Sequence, residues 1–181
     1  MLSRGSLGVG KNTGLRKMAG MLMTKGFTVS GMLSGEIRSN GTSVGFEVMD
    51  LYTGKTGWPA HTNQKHGSRL DKKYLVNLDN LDGVWTEAAE KANKECDVVA
   101  VDEVDSMELF LEKFRHAARD VVDDPKTVVA TVRWRTEDQL VKKIETRQDA
   151  EMFVVTWENR GSLPPAIASK AEEYLAATRL E

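Results

Sequence analysis

The second half of the chain alternates short apolar runs with amphipathic stretches, and this alternation limits the available folds more than any other feature. The runs predicted as buried strands are 97–104, 126–132 and 151–156, and the stretches predicted as helices are 107–122, 136–146 and 165–180. Strands that alternate with helices favour a mostly parallel sheet with helices on both faces. The 181 residues are enough for one such domain, so we expect a three-layer α/β domain over 1–181.

The first half adds a glycine-rich loop, a helix and a hairpin. The stretch 13–26 carries apolar residues at helical spacing, and Gly26 supplies its C-terminal stop. Asn40-Gly41 lies between two apolar segments and is suited to a tight hairpin turn, which predicts a two-stranded antiparallel insertion. The polar segment 61–73 is interpreted as a surface loop or lid, and 78–95 as a further helix.

The loop "GSLGVGKN" predicts a phosphate-binding site. Gly5, Gly10 and Lys11 have the spacing of the pattern G-x-x-x-x-G-K, in which converging backbone N–H groups, a helix N-terminus and a lysine bind phosphate. The pattern continues with Ser or Thr, whose hydroxyl binds Mg²⁺, whereas this chain has Asn12. The predicted nucleotide-binding residues are Gly5, Ser6, Leu7, Gly8, Val9, Gly10, Lys11, Asn12 and Thr13.

A second acidic element far along the chain supports the same chemistry. Asp102 and Glu103 follow an apolar run, and the carboxyl end of a buried strand is where open α/β sheets bind ligands. We expect Asp102 and Asn12 to bind Mg²⁺, and Lys11 and Glu103 to be catalytic, with Glu103 orienting or deprotonating the attacking water. A buried strand that ends in Asp-Glu is also common in proteins without a nucleotide site, where the carboxylates cap the next helix.

Several longer stretches resemble a small nucleoside-triphosphatase family of P-loop proteins from thermophilic archaea and bacteria, which has an animal branch called cancer-related nucleoside-triphosphatase. The similarity runs through "GSLGVGKN", "GMLSGEIRSNGTSVGFEVMDL", "KKYLVNL", "VDEVDSMEL" and "VTWENRGSLP". The resemblance implies a RecA-like P-loop fold. It also implies slow Mg²⁺-dependent hydrolysis of ATP, GTP, CTP and UTP with little preference among bases.

The chain departs from the family pattern in three places. Asn12 replaces a threonine, and Asp105 and Ser106 stand where the family has glycine and lysine. The segment "MLSRG" replaces an apolar strand, so only Met1 and Leu2 remain apolar ahead of the loop and we expect a weakened first strand. A lost lysine beside a triphosphate lowers transition-state stabilisation, so these departures affect catalysis more than binding.

Two other functions remain open on the sequence alone. The same phosphate cradle can deliver a phosphoryl group to a hydroxyl, as in a nucleotide or small-molecule kinase, although no acceptor pocket is identifiable. The chain could also bind nucleotides without turnover if Asn12, Ser106 and the weakened strand have removed catalysis. Phosphate release without an acceptor separates the hydrolase from the kinase, and binding without turnover indicates the third function.

Charge, apolar stretches and cysteine content limit which partners and which compartment we expect for this protein. The 25 basic and 27 acidic residues leave a net charge of −2 without a long basic block, so nucleic acid is not an expected partner. No apolar stretch has the length of a membrane span, which predicts a soluble protein. The lone Cys96 and the absence of a secretory leader predict a cytoplasmic protein in which Cys96 packs internally, and we expect a monomer.

The remaining candidate residues have ordinary interpretations. His61, His66 and His116 show no metal-ligand spacing. The four tryptophans are interpreted as packing residues, although one of them could cover a nucleobase: Trp58, Trp85, Trp134 and Trp157. Four arginines are candidates for neutralising charge on the transferred phosphate, and each is otherwise a solvated surface residue: Arg133, Arg135, Arg147 and Arg160.

Overall fold

The computed structural model describes residues 1–62, 68–69, 75–76, 96–102, 120, 123, 126–135 and 139–178. Several predictions fall outside these residues: the helix at 78–95, most of the helix at 107–122, and Glu103, Asp105, Ser106, His66, His116 and Trp85. The side chains of Trp58 and His61 also lie outside the described part of the chain.

One mixed sheet contains all the described strands. The strands are β1 (Leu2–Gly5), β2 (Val29–Ser39), β3 (Thr42–Asp50), β4 (Thr56–His61), β5 (Ser68–Arg69), β6 (Leu75–Val76), β7 (Val98–Val101), β8 (Thr127–Arg133) and β9 (Met152–Val154), in the order β5-β6-β4-β3-β2-β7-β8-β1-β9. The strands β2, β7, β8, β1 and β9 pair in parallel, and the others add antiparallel strands beyond β2. The predicted parallel sheet is therefore confirmed.

Helices cover both faces of this sheet, as predicted. The described helices are α1 (Lys11–Thr24), α2 (Gln139–Glu145) and α3 (Leu163–Thr178). Helices α1 and α3 share one core with alternate strand residues, including Leu15, Met18, Leu22, Ile167, Ala171, Val98 and Val129. Consecutive strand residues point to opposite faces, so Ala130 faces away from the core that contains Val129. On that second face, Ile144 of α2 lines a cavity with Leu2 and Ala130. Cys96 is buried beside the start of β7, which agrees with its interpretation as a packing residue.

The predicted antiparallel hairpin forms, and its first strand also belongs to the main sheet. Asn40 (φ 50°) and Gly41 (φ 77°) make the turn between β2 and β3, with the left-handed backbone that this dipeptide favours. The first residues of β2, from Val29 to Met32, also pair in parallel with β7, so the hairpin continues the main sheet. Part of the predicted loop at 61–73 forms the two-residue strand β5, which is too short to show an alternating pattern.

The first strand forms, whereas its expected weakening stays a prediction. Strand β1 lies between β8 and β9, and it is paired in parallel on both sides along Leu2, Ser3 and Arg4. The Met1 ammonium donates to the Val128 carbonyl at 2.7 Å, and Leu2 and Ser3 are buried. Arg4, whose charge argued against a strand, forms an ion pair with Glu145 of α2. Backbone pairing with strands that are distant in sequence therefore holds β1 in the sheet.

Candidate functional site

The glycine-rich loop joins β1 to α1 at the carboxyl end of the parallel strands. Gly10 caps α1 with φ 105°, a left-handed backbone that glycine adopts without strain. Val9 is buried and anchors the loop, whereas Leu7 at its tip is 80% exposed. Of the predicted binding residues, Gly5 thus ends β1, residues 6–10 form an open loop, and Lys11, Asn12 and Thr13 begin α1, where the helix dipole favours anions.

Lys11 is folded back onto this loop. Its side chain is 6% exposed, and Nζ donates to the carbonyl oxygens of Gly5 at 3.1 Å and Ser6 at 3.2 Å. The ammonium therefore lies inside the curve of the loop rather than in solvent. A phosphate bound in the loop would offer this ammonium a charged acceptor, which makes a stronger hydrogen bond than a carbonyl.

Asn12 connects the loop to the acidic element. Its Nδ2 donates to Asp102 Oδ2 at 2.7 Å and also contacts the Ser34 carbonyl oxygen. The predicted proximity of Asn12 and Asp102 is thus present, and Thr13, one step further along the helix, is exposed. The sequence analysis did not predict the direction of this hydrogen bond: the amide nitrogen faces Asp102, which leaves the amide oxygen as the atom of Asn12 available to a cation.

Asp102 is held by a buried network of donors. It follows β7 and is 6% exposed, and beside Asn12 it accepts from Ser34 Oγ at 2.8 Å and from Thr131 Oγ1 at 2.6 Å. Hydrogen bonds from these neutral groups orient the carboxylate but do not cancel its charge. Sequence analysis missed Ser34 and Thr131. The only signal was a polar residue, Thr131, inside an apolar run.

A tight turn between β9 and α3 lies on the other side of the loop. Asn159 fastens this turn: Oδ1 accepts from the Thr156 backbone N–H at 2.8 Å, and Nδ2 donates to the Val154 carbonyl at 2.8 Å. A hydrogen bond with the Thr156 side chain lowers the pKa of the exposed Glu158 carboxyl. The turn is thus locked by side chain to backbone bonds, and it presents Trp157, Glu158 and Arg160 at the surface.

Arg160 of this turn lies against the phosphate loop. Its Cδ is 3.7 Å from the position that a Cβ on Gly10 would occupy, and its guanidinium carbon is 4.5 Å from the centroid of the Trp157 ring. Trp157 is 61% exposed and Trp134, just after β8, is 48% exposed. The packing interpretation is therefore wrong for these two tryptophans, because each follows a strand end rather than facing the core.

The other predicted arginines divide between the two ends of the sheet. Arg133 is the register partner of Gly5 in β8, so Arg133 and the nearby Arg135 lie at the loop end. Arg147 instead pairs with Asp149 at 2.7 Å and lines a cavity with Met1 at the amino end of β1. The hydrogen bond to Arg147 lowers the pKa of the Asp149 carboxyl. Arg147 is thus too far from the loop to neutralise phosphate there.

Comparison with known proteins identifies the same set of relatives throughout. The family model described as NTPase matches residues 2–168. The nucleoside-triphosphatase THEP1 of Thermofilum pendens is 36% identical over 176 residues, which cover 97% of this chain and 96% of that protein. The nucleoside-triphosphatase THEP1 of Methanosarcina barkeri is 38% identical over 167 residues, which cover 92% and 93% of the two chains.

Two solved structures resemble the whole chain. The crystal structure of THEP1 from the hyperthermophile Aquifex aeolicus superposes with a TM-score of 0.78 at 30% identity, and covers 95% of this chain and 98% of that one. The solution structure of a human cancer-related nucleoside triphosphatase gives 0.79 at 28% identity, with coverage of 96% and 97%. Among the helices that the structure describes, none has the length and hydropathy needed to span a bilayer.

Proposed function

The chain belongs to the nucleoside-triphosphatase family, and from that premise we propose that it hydrolyses nucleoside 5′-triphosphates to diphosphate and phosphate. We propose further that the reaction depends on Mg²⁺ and accepts ATP, GTP, CTP and UTP with little preference among bases. The enzyme is proposed to act as a cytoplasmic monomer.

One observation carries this proposal: the loop and the acidic strand end are joined by the hydrogen bond from Asn12 to Asp102. Lys11, which would bind phosphate, and Asp102, which would bind a cation, thus belong to one connected site. The combination suits a triphosphate, whose negative charge needs both a positive cradle and a metal ion. Neither element alone would distinguish a nucleotide site from a helix cap.

The residues at Asp102 fit Mg²⁺. This ion prefers oxygen ligands, and the Asp102 carboxylate and the Asn12 amide oxygen are both of that kind. Asp102 is buried, and its three described donors are neutral, so a cation beside it would balance its charge. Asn12 and Asp102 would hold Mg²⁺, which when bound neutralises charge on the β- and γ-phosphates.

The chain's own residues then divide the reaction among them. Lys11 and the backbone N–H groups of the loop would hold the β- and γ-phosphates. Glu103, directly after Asp102 in the sequence, would orient a water molecule and accept its proton as the oxygen attacks the γ-phosphorus. The bond between the γ-phosphorus and its bridging oxygen breaks, and the diphosphate leaves.

Hydrolysis is favoured over phosphoryl transfer to a second substrate. The relatives are named nucleoside-triphosphatases, and this chain matches them over nearly their full length. A kinase would additionally need a pocket that holds an acceptor hydroxyl in line with the γ-phosphate.

Phosphate release from each of the four nucleotides, with Mg²⁺ and with excess chelator, tests the proposal. We expect release without any added acceptor, at similar rates for all four bases, and loss of release with chelator. Release only in the presence of an acceptor would favour the kinase, and nucleotide binding without release would favour a binding protein that has lost catalysis. Unequal rates of release from the four nucleotides would contradict the proposed base tolerance but not the proposed hydrolysis.

A further inference from the structure

The β9–α3 turn presents an aromatic surface that the proposed reaction does not use. Trp157 is exposed although tryptophan usually buries most of its large apolar surface. The Arg160 guanidinium lies over one face of the ring, at 4.5 Å from its centroid, and the high exposure leaves the other face open to solvent. The bonds of Asn159 hold the backbone of the turn from which Trp157 projects.

The orientation of a bound triphosphate follows from the strand order. The sheet runs β7-β8-β1-β9, so Asp102 after β7 and Trp157 after β9 lie on opposite sides of the loop that follows β1. If Asp102 and the neighbouring Glu103 act on the γ-phosphate, that end of the triphosphate lies on the β7 side. The nucleoside end then extends past Gly10 toward β9, where Arg160 lies beside the loop.

We propose that Trp157 and Arg160 form a nucleobase platform, in which the base stacks on the open face of Trp157 and Arg160 supports the opposite face. This inference rests on the proposed function, because it assigns the base of the same triphosphate. It also makes Arg160 a positioning residue rather than a neutraliser of the transferred phosphate, since it lies on the side of the loop away from Asp102.

Stacking has a chemical consequence for specificity. Every nucleobase has a π-face, so an aromatic platform binds all of them without reading the donors and acceptors on their edges. A guanidinium over the other ring face adds a cation–π interaction that keeps the indole in place. A platform of this kind therefore provides affinity for the nucleoside while tolerating different bases.

The test compares a ligand that has a base with one that lacks it. Affinities of ATP and inorganic tripolyphosphate are measured by calorimetry for the parent, Trp157→Ala and Trp157→Phe. We expect Trp157→Ala to weaken ATP binding about tenfold, because base stacking on an aromatic side chain typically contributes roughly fivefold to a hundredfold in affinity. Tripolyphosphate affinity should stay unchanged, and Trp157→Phe should recover most of the ATP affinity.

Tyr174→Ala is the matched control. Tyr174 is also an exposed aromatic residue with a cation over its ring, that of Lys170 at 5.5 Å, but it contacts Glu151 at the opposite end of β9. This variant should alter neither affinity. Trp134→Ala is a second comparison, because Trp134 is exposed at the end of β8, on the Asp102 side.

Two results would overturn the platform. The first is unchanged ATP affinity in Trp157→Ala, whether or not Trp134→Ala loses affinity for ATP. The second is equal weakening of ATP and tripolyphosphate binding in Trp157→Ala. A parent protein that binds neither ligand would overturn the proposed function and the platform with it. Failure of the platform alone thus differs from failure of the nucleotide site.

Discussion

The two sides of the glycine-rich loop differ in burial and in the kind of side chain that they present. On the side toward β7, which we call the Asp102 side, a buried carboxylate is surrounded by donors from Asn12, Ser34 and Thr131. On the side toward β9, which we call the Trp157 side, an exposed ring and a guanidinium stack on each other in a turn that the Asn159 side chain holds by hydrogen bonds to the backbone. One side is buried and polar, and the other is exposed and aromatic.

Because of this difference, we expect the two sides to contribute to different steps, one to the chemical step and the other to substrate binding. Electrostatic interactions are stronger where water is excluded, so a change on the Asp102 side should act mainly on the transition state. Stacking on an exposed ring is the same in the ground state and the transition state, so a change on the Trp157 side should act mainly on affinity. Lys11 Nζ lies in the loop between the two sides, so a change of Lys11 should affect both affinity and the chemical step.

The largest expected effect is therefore that of Lys11→Ala. The variant loses the one full positive charge of the loop, and we expect turnover to fall by about 10³-fold, with weaker binding of triphosphate. Steady-state phosphate release and tripolyphosphate calorimetry measure the two effects. Lys17→Ala, which removes an exposed lysine from the same helix, serves as the control. Unchanged hydrolysis in Lys11→Ala would refute the assignment of the loop.

Glu103→Gln should have the next largest effect. Removal of a positioned general base typically costs 10²-fold or more, so we expect the rate to fall by roughly 10²-fold while nucleotide affinity is retained. Single-turnover phosphate release together with nucleotide calorimetry checks both expectations. A rate close to that of the parent would assign water activation to another residue, and a loss of affinity would give Glu103 a structural role.

Kinetics of Trp157→Ala would sharpen the contrast between the two sides. The variant should raise KM about tenfold with little change in kcat, because stacking stabilises bound substrate and transition state equally. Initial rates over a range of ATP concentrations measure both parameters. A fall in kcat at unchanged KM would mean that the Trp157 side contributes to the chemical step.

Asn12→Thr should have the smallest effect on hydrolysis, and it should raise the rate rather than lower it. A threonine hydroxyl can donate to Asp102 and coordinate Mg²⁺ through the same oxygen, whereas the longer Asn12 would need two different atoms. We expect a higher rate and a severalfold lower Mg²⁺ concentration for half-maximal activity, with unchanged nucleotide affinity in the absence of metal. Identical curves would show that Asn12 is already a competent ligand or that the metal is held elsewhere.

The sequence predicted the parts of this molecule that depend on local patterns. The loop from Gly5 to Lys11, the apolar stripe of α1 and the turn at Asn40 each occupy a few neighbouring residues, and each forms as predicted. Asp102 was likewise identified from the apolar run that precedes it, because a strand end has a defined place in a parallel sheet.

Features that depend on distant residues could not be predicted. Strand β1 forms because β8 and β9 pair with both of its edges, which its own polar sequence does not indicate. The contacts of Ser34 and Thr131 with Asp102 join residues 68 and 29 positions apart. The exposure of Trp157 depends on the turn that Asn159 fastens, and an isolated tryptophan in a sequence gives no such information.

The most direct test of this account is the Mg²⁺ dependence of phosphate release from ATP in Asp102→Asn. The substitution keeps the shape of the side chain and its ability to accept from Thr131, but it removes the charge that a cation would balance and the second oxygen, which accepts from Asn12 and Ser34. We predict that half-maximal activity requires at least about tenfold more Mg²⁺ than in the parent protein, because loss of an interaction at a metal site typically costs 10–100-fold in affinity. Superimposable curves for the two proteins would contradict the assignment of Asp102 as the residue that holds the metal.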